Sequence, residues 1–183
     1  EDLSGLSPPL QEMEYALVDL DIAKETTNAY NLTFLKENER VFSDRSLVWT
    51  HVPIHLQNCT YVSTPCDDKV LKTKALIRFK TKLRSVVIIY KDSKLRTYTP
   101  WLKEQGYSLI VEQLKARRGK TMGDLTFNGY AKYFDANVDV ELNGMNDMHS
   151  MYTVCVVPIV PTPRLLDLLT QVIVDAHASD GDS

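Results

Sequence analysis

Lys72, Lys74, Arg78, Lys80, Lys82 and Arg84 all occupy even positions, while Ala75, Ile77, Phe79 and Leu83 fall on odd positions among them. Side chains alternate between the two faces of a β-strand. The spacing therefore predicts a strand from Lys72 to Leu83, with an apolar row turned to the core and a row of cations on the other face. A helix would spread the same cations around its circumference. The chemistry on offer is ion pairing: all six attract sulfate or carboxylate, and Arg78 and Arg84 add two-pronged geometry that lysine lacks. Such contacts weaken with salt. A second basic group, Arg117, Arg118 and Lys120, falls in a loop expected over 116–123. The plainer alternative for the row is a solvated sheet face whose charge discourages edge-to-edge association.

This charge is local. Residues 69–96 hold ten of the 21 basic residues and a single acid, Asp92, so eleven basic residues face 23 acidic ones elsewhere and the whole carries −3. A uniformly basic nucleic-acid binder would look different, and no nucleic-acid partner is expected.

Other reactive types are present without the spacing that catalysis requires. Asp135, Asp139, Glu141 and Asp147 supply carboxylates, and Asp139 and Glu141 would share one strand face. Paired carboxylates serve glycosidases as acid and nucleophile, and oxygen ligands hold calcium, but surface solvation is the simpler reading. His51, His55, His149 and His177 lack metal-like spacing, and no hydrolase, zinc-protease or phosphate-loop motif occurs. Cys59, Cys66 and Cys155 do not make a zinc site, and whichever two join in a disulfide, one stays free. Cys155, in an apolar run, reads as a small buried hydrophobe. No catalytic residue, metal or cofactor is assigned. Trp49 and Trp101 would stack on sugar rings if exposed, yet tryptophan usually buries its large apolar surface, and a core role is expected for both. Asp67 and Asp68 are expected to fix a turn through local hydrogen bonds.

Two sequons, Asn31-Leu32-Thr33 and Asn58-Cys59-Thr60, make Asn31 and Asn58 candidate glycosylation sites and point to a secreted, extracellular or lumenal protein. The chain begins at Glu1, as a mature product or an excised domain would. No run approaches the roughly 20 apolar residues needed to cross a bilayer, so membrane insertion is not expected.

These residues need a scaffold, and the pattern is that of sheet. Residues 1–11 read as a tail or linker, 12–160 as a β-sandwich domain, 161–177 as a C-terminal helix and 178–183 as a polar tail. Glu14–Ile22 alternates, with Val18, Leu20 and Ile22 expected inward. Short strands are expected over 31–34, 40–42 and 55–62, before the basic strand. Ser85–Tyr90 (SVVIIY) is apolar throughout, as in a strand buried on both faces. After a long connection over 91–106, further strands are expected at 107–113, 125–133, 138–142 and 151–157, with a turn at Asn143-Gly144. Arg164–Ala176 has apolar residues at helical spacing. Short strands spaced by about ten residues make the fold class all-β, an antiparallel, jelly-roll-like β-sandwich with a short C-terminal amphipathic helix.

The order of pieces from Val41 to Pro158 resembles a β-sandwich accessory module that recurs beside catalytic domains in secreted polysaccharide lyases and related glycan-active proteins. The pieces are Phe42-Ser43-Asp44-Arg45 with Trp49-Thr50-His51-Val52-Pro53; Thr60 to Lys69, ending in Asp67-Asp68-Lys69; Val86 to Asp92; Pro100-Trp101-Leu102 with Gly106-Tyr107; Tyr130-x-Lys132-x-Phe134-x-Ala136-x-Val138; and Leu142-Asn143-Gly144 before Met151-Tyr152-Thr153-Val154. The resemblance spans about 118 of 183 residues and implies a non-catalytic domain near carbohydrate, with no active site to transfer. The basic strand, the Arg117-Arg118 loop, the cysteines and the C-terminal helix depart from that pattern.

The expected function is that of an extracellular module binding an acidic polysaccharide or matrix polyanion through Lys72 to Arg84, aided by Arg117, Arg118 and Lys120. The alternative is a structural or interaction domain of a larger secreted or cell-surface protein, its basic row meeting an acidic protein surface. A partner domain or protomer would then pack at the C-terminal helix.

Overall fold

The computed structural model describes residues 14–95, 99–119 and 123–159. Within them the chain forms strands β1 (Leu17–Ile22), β2 (Asn31–Phe34), β3 (Val48–His51), β4 (Thr60–Ser63), β5 (Ile77–Thr81), β6 (Ser85–Asp92), β7 (Ser108–Arg117), β8 (Leu125–Phe134), β9 (Asp139–Leu142) and β10 (Thr153–Pro158). A 3₁₀ turn covers Cys66–Val70, and one short helix, α1, covers Pro100–Glu104. The strands make two antiparallel sheets, ordered β1-β5-β9 and β2-β4-β10-β6-β8-β7-β3. The protein is an all-β sandwich, as its residue pattern predicts.

The apolar runs explain the centre of the larger sheet. β6 and β10 are adjacent and pair Val154 with Ile89, Cys155 with Ile88 and Val156 with Val87. All six of these residues are buried, so both faces of this strand pair are dry, as the unbroken SVVIIY and TVCVV runs require. One face, continued by Thr60 and Val62 on β4, meets the smaller sheet, where the Ala16 N–H donates to Thr60 Oγ1 at 2.7 Å. The opposite face carries Tyr61, Ile88 and Cys155, and the 35–59 connection closes over it with buried Leu35, Val41, Phe42, Trp49 and Leu56. Trp49 meets Phe127 edge-on at 5.1 Å and Tyr61 at 6.2 Å. Both tryptophans are core residues, as expected, and the Trp101 indole N–H donates to the Gly144 carbonyl at 3.2 Å.

Several local expectations need correction. The basic segment is not one strand: only Ile77–Thr81 is extended in the sheet, with Ile77, Phe79 and Thr81 inward and Arg78 outward. Lys72 and Lys74 belong to the turn-rich approach, where Ala75 adopts a positive φ of 50°. Lys82 and Arg84 stand in the bend 82–84, which carries Leu83 out to 50% exposure. The alternation fails at both ends because the turn around Ala75 before β5 and the tight reversal between β5 and β6 interrupt the extended chain. In β1 a bulge between Val18 and Asp21, with Asp19 at φ 56°, turns Val18 outward and leaves Ala16 and Leu17 as the buried residues. Residues 53–59 form turns, so the strand expected over 55–62 begins at Thr60, and Arg40 makes only an isolated bridge to Val48. The connection after β6 holds α1, and β7 runs on through Arg117. The 161–177 helix and the 1–11 and 178–183 tails lie outside the described residues.

Candidate anion-binding sites

β5 is the middle strand of the smaller sheet, so its outward cations have neighbours on both sides. Asp21 on β1 is opposite Arg78, which is opposite Glu141 on β9; Lys80 is opposite Asp139. Arg78 Nε lies 3.6 Å from Glu141 Oε1, and Lys80 Nζ lies 4.0 Å from Asp139 Oδ1. In the following bend Lys82 Nζ holds Glu14 Oε2 at 2.7 Å, and this bond lowers the Glu14 pKa below the ordinary carboxylate range. The groove over this face, about 380 Å³, is lined by two cations, Arg78 and Lys80, and four carboxylates, Asp19, Asp21, Asp139 and Glu141. Cross-strand opposite charges support the sheet, and their sum here is acidic. An incoming polyanion would meet carboxylates at the middle of the expected cationic row.

The other expected residues do not gather there. Lys72 and Lys74 are exposed before β5, and exposed Arg84 lies beyond its far end, close enough to Tyr133 to act on its hydroxyl electrostatically. Arg117, the last residue of β7, donates from Nε to Asp124 Oδ1 at 3.0 Å. Lys120 lies outside the described residues. Both sequon asparagines, Asn31 and Asn58, are exposed.

One expected residue, Arg118, reaches a different site. A cavity of about 240 Å³ at an end of the sandwich is lined by Arg45, Lys69, Arg118 and His149, by Asp92, and by Phe42, Leu47, Cys66, Leu125, Phe127 and Ser150. Five chain segments converge on it, and a hydrogen-bonded scaffold fixes them. Asp44 accepts the backbone N–H groups of Cys66 at 2.7 Å and Asp67 at 2.9 Å, so the Phe42–Arg45 turn is locked to the 3₁₀ turn. Arg45 then bridges Asp67 at 2.6 Å and Asp44 at 3.1 Å. That bridge holds the Asp67 carboxyl below its usual range and raises the Arg45 guanidinium further. Behind it, buried Asp68 accepts from Tyr30 Oη and Asn28 Nδ2, each at 2.6 Å; burial first, and this bond second, push the Tyr30 pKa far up. Asp147, buried, caps the far wall by accepting from the N–H groups of His149 at 2.6 Å and Ser150 at 3.3 Å, while its own N–H donates to the Lys69 carbonyl at 2.7 Å. Asp92 Oδ1 is engaged by the Lys94 N–H at 2.9 Å.

Counted on the described lining residues alone, the cavity differs from the groove, with three cations, Arg45, Lys69 and Arg118, against one carboxylate, Asp92. Arg45 is matched by Asp44 and Asp67. Lys69 and Arg118 then face only Asp92 among the lining residues, over a floor with two aromatic side chains. In charge and shape such a lining suits an anion attached to a compact, partly apolar body. Of its charged residues only Arg118 was among the ligand contacts expected from the sequence. The usable signal for Arg45 and Lys69 was the pair of short motifs Phe42-Ser43-Asp44-Arg45 and Asp67-Asp68-Lys69, which are 22 residues apart across the Arg45–Asp67 bond and touch in the fold.

No protein-family model matches the chain, and no curated protein matches it in sequence. Among solved structures it is similar to a β-glucuronidase from glycoside hydrolase family 2, with a TM-score of 0.65 and 14% sequence identity. The likeness covers 77% of this chain and 14% of the glucuronidase. It is a likeness of fold, between this sandwich and a small part of a much larger glycosidase.

Proposed function

We propose that this chain is a non-catalytic extracellular binding module that takes an anionic group of an acidic glycan or matrix polyanion at the end cavity, through Lys69 and Arg118. The observation that supports this reading is the contrast between the two linings: two cations against four carboxylates in the groove over β5, and three cations against one carboxylate among the described residues lining the cavity, with Asp44 and Asp67 offsetting Arg45 from behind. Lys72, Lys74 and Arg84 contribute at longer range, by steering. The fold neighbour adds a chemical hint, because a glucuronide carries a carboxylate and a carboxylate is what a lysine–arginine pair selects. Among the described residues lining the cavity Asp92 is the one carboxylate, and the nearby Asp44 and Asp67 are engaged by Arg45. Secretion, with N-glycans on exposed Asn31 and Asn58, completes the proposal.

Titration of the purified chain with size-defined uronate and sulfated oligosaccharides tests it. Lys69→Glu and Arg118→Glu are expected to lower affinity at least tenfold each, and Lys80→Glu to leave it nearly unchanged. Equal loss for the Lys80 variant, or none for the cavity variants, would overturn the assignment.

A second reading rests on β7. Val111 is 98% exposed and Leu109 63%, both on the outward row of a strand that β3 covers only from Lys115 to Arg117. Apolar side chains at this exposure favour a protein contact, in a structural domain of a larger chain. Leu109→Glu with Val111→Lys would then abolish a complex and leave glycan binding intact.

A further inference from the structure

β10, β6 and β8 bring three apolar side chains into one incompletely covered row. Val157 is directly opposite Val86, and Val86 is directly opposite Tyr133. The period of two puts this row on the same face as Cys155, Ile88 and Ala131, two residues away along the same strands. The cover that buries Cys155 and Ile88 stops short of it: Val86 and Val157 are half-buried, and Tyr133 is 48% exposed. In the adjoining bend Leu83 is 50% exposed. Half-buried Ile159 donates its N–H to the Arg84 carbonyl at 2.8 Å, which fixes the last described residue at the end of the row. A contiguous apolar strip left open in this way marks a contact surface.

We infer that the occupant is the chain's own segment 164–176, seated as an amphipathic helix with its apolar stripe on the Val157–Val86–Tyr133 row. That segment lies outside the described residues, and its sequence repeats Leu165, Leu166, Leu168, Leu169, Val172 and Ile173 at helical spacing. The connection is long enough, because the four residues Val160-Pro161-Thr162-Pro163 span up to about 13 Å when extended. The lengths agree as well. A helix over 164–176 is about 20 Å long, and the axes of three adjacent strands span about 10 Å. Charges of both signs meet: Arg84 and Asp135, which accepts from the Tyr133 hydroxyl at 2.8 Å, rim the row, and the segment opens with Arg164 and Asp167. Residues 1–13 also start near this bend, since Glu14 holds Lys82 at 2.7 Å, but they carry Pro8-Pro9 and no such stripe. A second copy of the chain would compete with a segment tethered four residues away, whose effective concentration is on the order of millimolar. The contact stands apart from the glycan assignment, since none of the row's residues lines the cavity.

A benzophenone amino acid in place of Tyr133, in the full chain at low micromolar concentration, reads the contact. After irradiation, intact mass and peptide mapping identify the product. The expected result is a monomer with one internal cross-link, between the probe and a residue of 164–176. Leu165→Asp with Leu169→Asp in the same chain is expected to lower the yield of that link at least tenfold while the sheet's circular dichroism is unchanged. Should the Tyr133 probe prevent folding, the same probe at Leu83 must give the same link. A cross-link between two chains, one to residues 1–13, no link to 164–176 from either probe, or a link that survives the double aspartate change would overturn the inference.

Discussion

Removing carboxylates from the β5 groove should strengthen anion binding on that face. In the double variant Asp139→Asn, Glu141→Gln, Arg78 and Lys80 lose the partners now 3.6 and 4.0 Å away. The face changes from two cations against four carboxylates to two against two. At about 4 Å a unit-charge pair in water is worth about 1 kcal/mol before screening, and exposed pairs contribute about 0–1 kcal/mol to folding. Both changes together should therefore cost no more than about 2 kcal/mol, a fall in Tm of roughly 4–8 °C for a domain of this size. The same energy appears with opposite sign in polyanion binding: each released cation strengthens it by up to about fivefold. On a heparin column the double variant should elute at higher salt than the parent, and Lys80→Glu in the variant background should cancel the gain. Identical elution of parent and double variant would refute the claim that internal pairing silences the cationic row.

Gly144→Ala should be among the more damaging small changes, because an added Cβ would lie 2.3 Å from the Leu71 carbonyl oxygen, against backbone that does not yield cheaply. It would also disturb the Gly144 N–H bond to Thr73 at 2.7 Å and the Trp101 bond at 3.2 Å; urea unfolding should show a loss of about 2–5 kcal/mol. Gly123→Ala, with nothing within 4 Å, should stay within about 0.5 kcal/mol. Alkaline pH should unfold the protein cooperatively, since burial raises the pKa of Tyr30, Tyr61, Tyr90, Tyr107 and Tyr152. A raised folded pKa gives stability that is complete below the unfolded value near 10 and is lost as pH climbs above it, by up to about 1.4 kcal/mol per pH unit for each group. Burial lowers the Lys91 pKa, which works the other way for one group. Phenolate absorbance should rise in step with loss of circular dichroism between pH 10 and 12; early titration of all the tyrosines in a folded protein would contradict it. Expressed through a secretory pathway, Asn31 should carry more glycan than Asn58. Thr60 of the second sequon is 2% exposed, and its hydroxyl accepts from Ala16, so that site closes once the sandwich forms; peptide-level occupancy that favours Asn58 would contradict this order.

Much of the sandwich was legible in short-range pattern. SVVIIY announced a strand buried on both faces and MYTVCVV a further buried strand, and these became neighbours β6 and β10. The alternation at Ile77, Arg78 and Phe79 correctly assigned inside and outside. Where the backbone reverses or bulges, as at Leu83 and Val18, alternation lost its meaning, because the period of two holds only for regularly extended chain.

The sequence by itself determined which residues would be apolar partners, that sheet would dominate, and that cations would be concentrated in one stretch. It could not show what stands beside that stretch. The two acidic strands flanking β5 lie about 60 residues away on either side, and only the order β1-β5-β9 puts Asp21, Arg78 and Glu141 in one row. The same holds for the cavity, where Arg45, Lys69, Asp92, Arg118 and His149 come from five separate segments. Coulomb interactions fall with distance in space and take no account of distance along the chain, so the sign of a surface was decided by strand order alone.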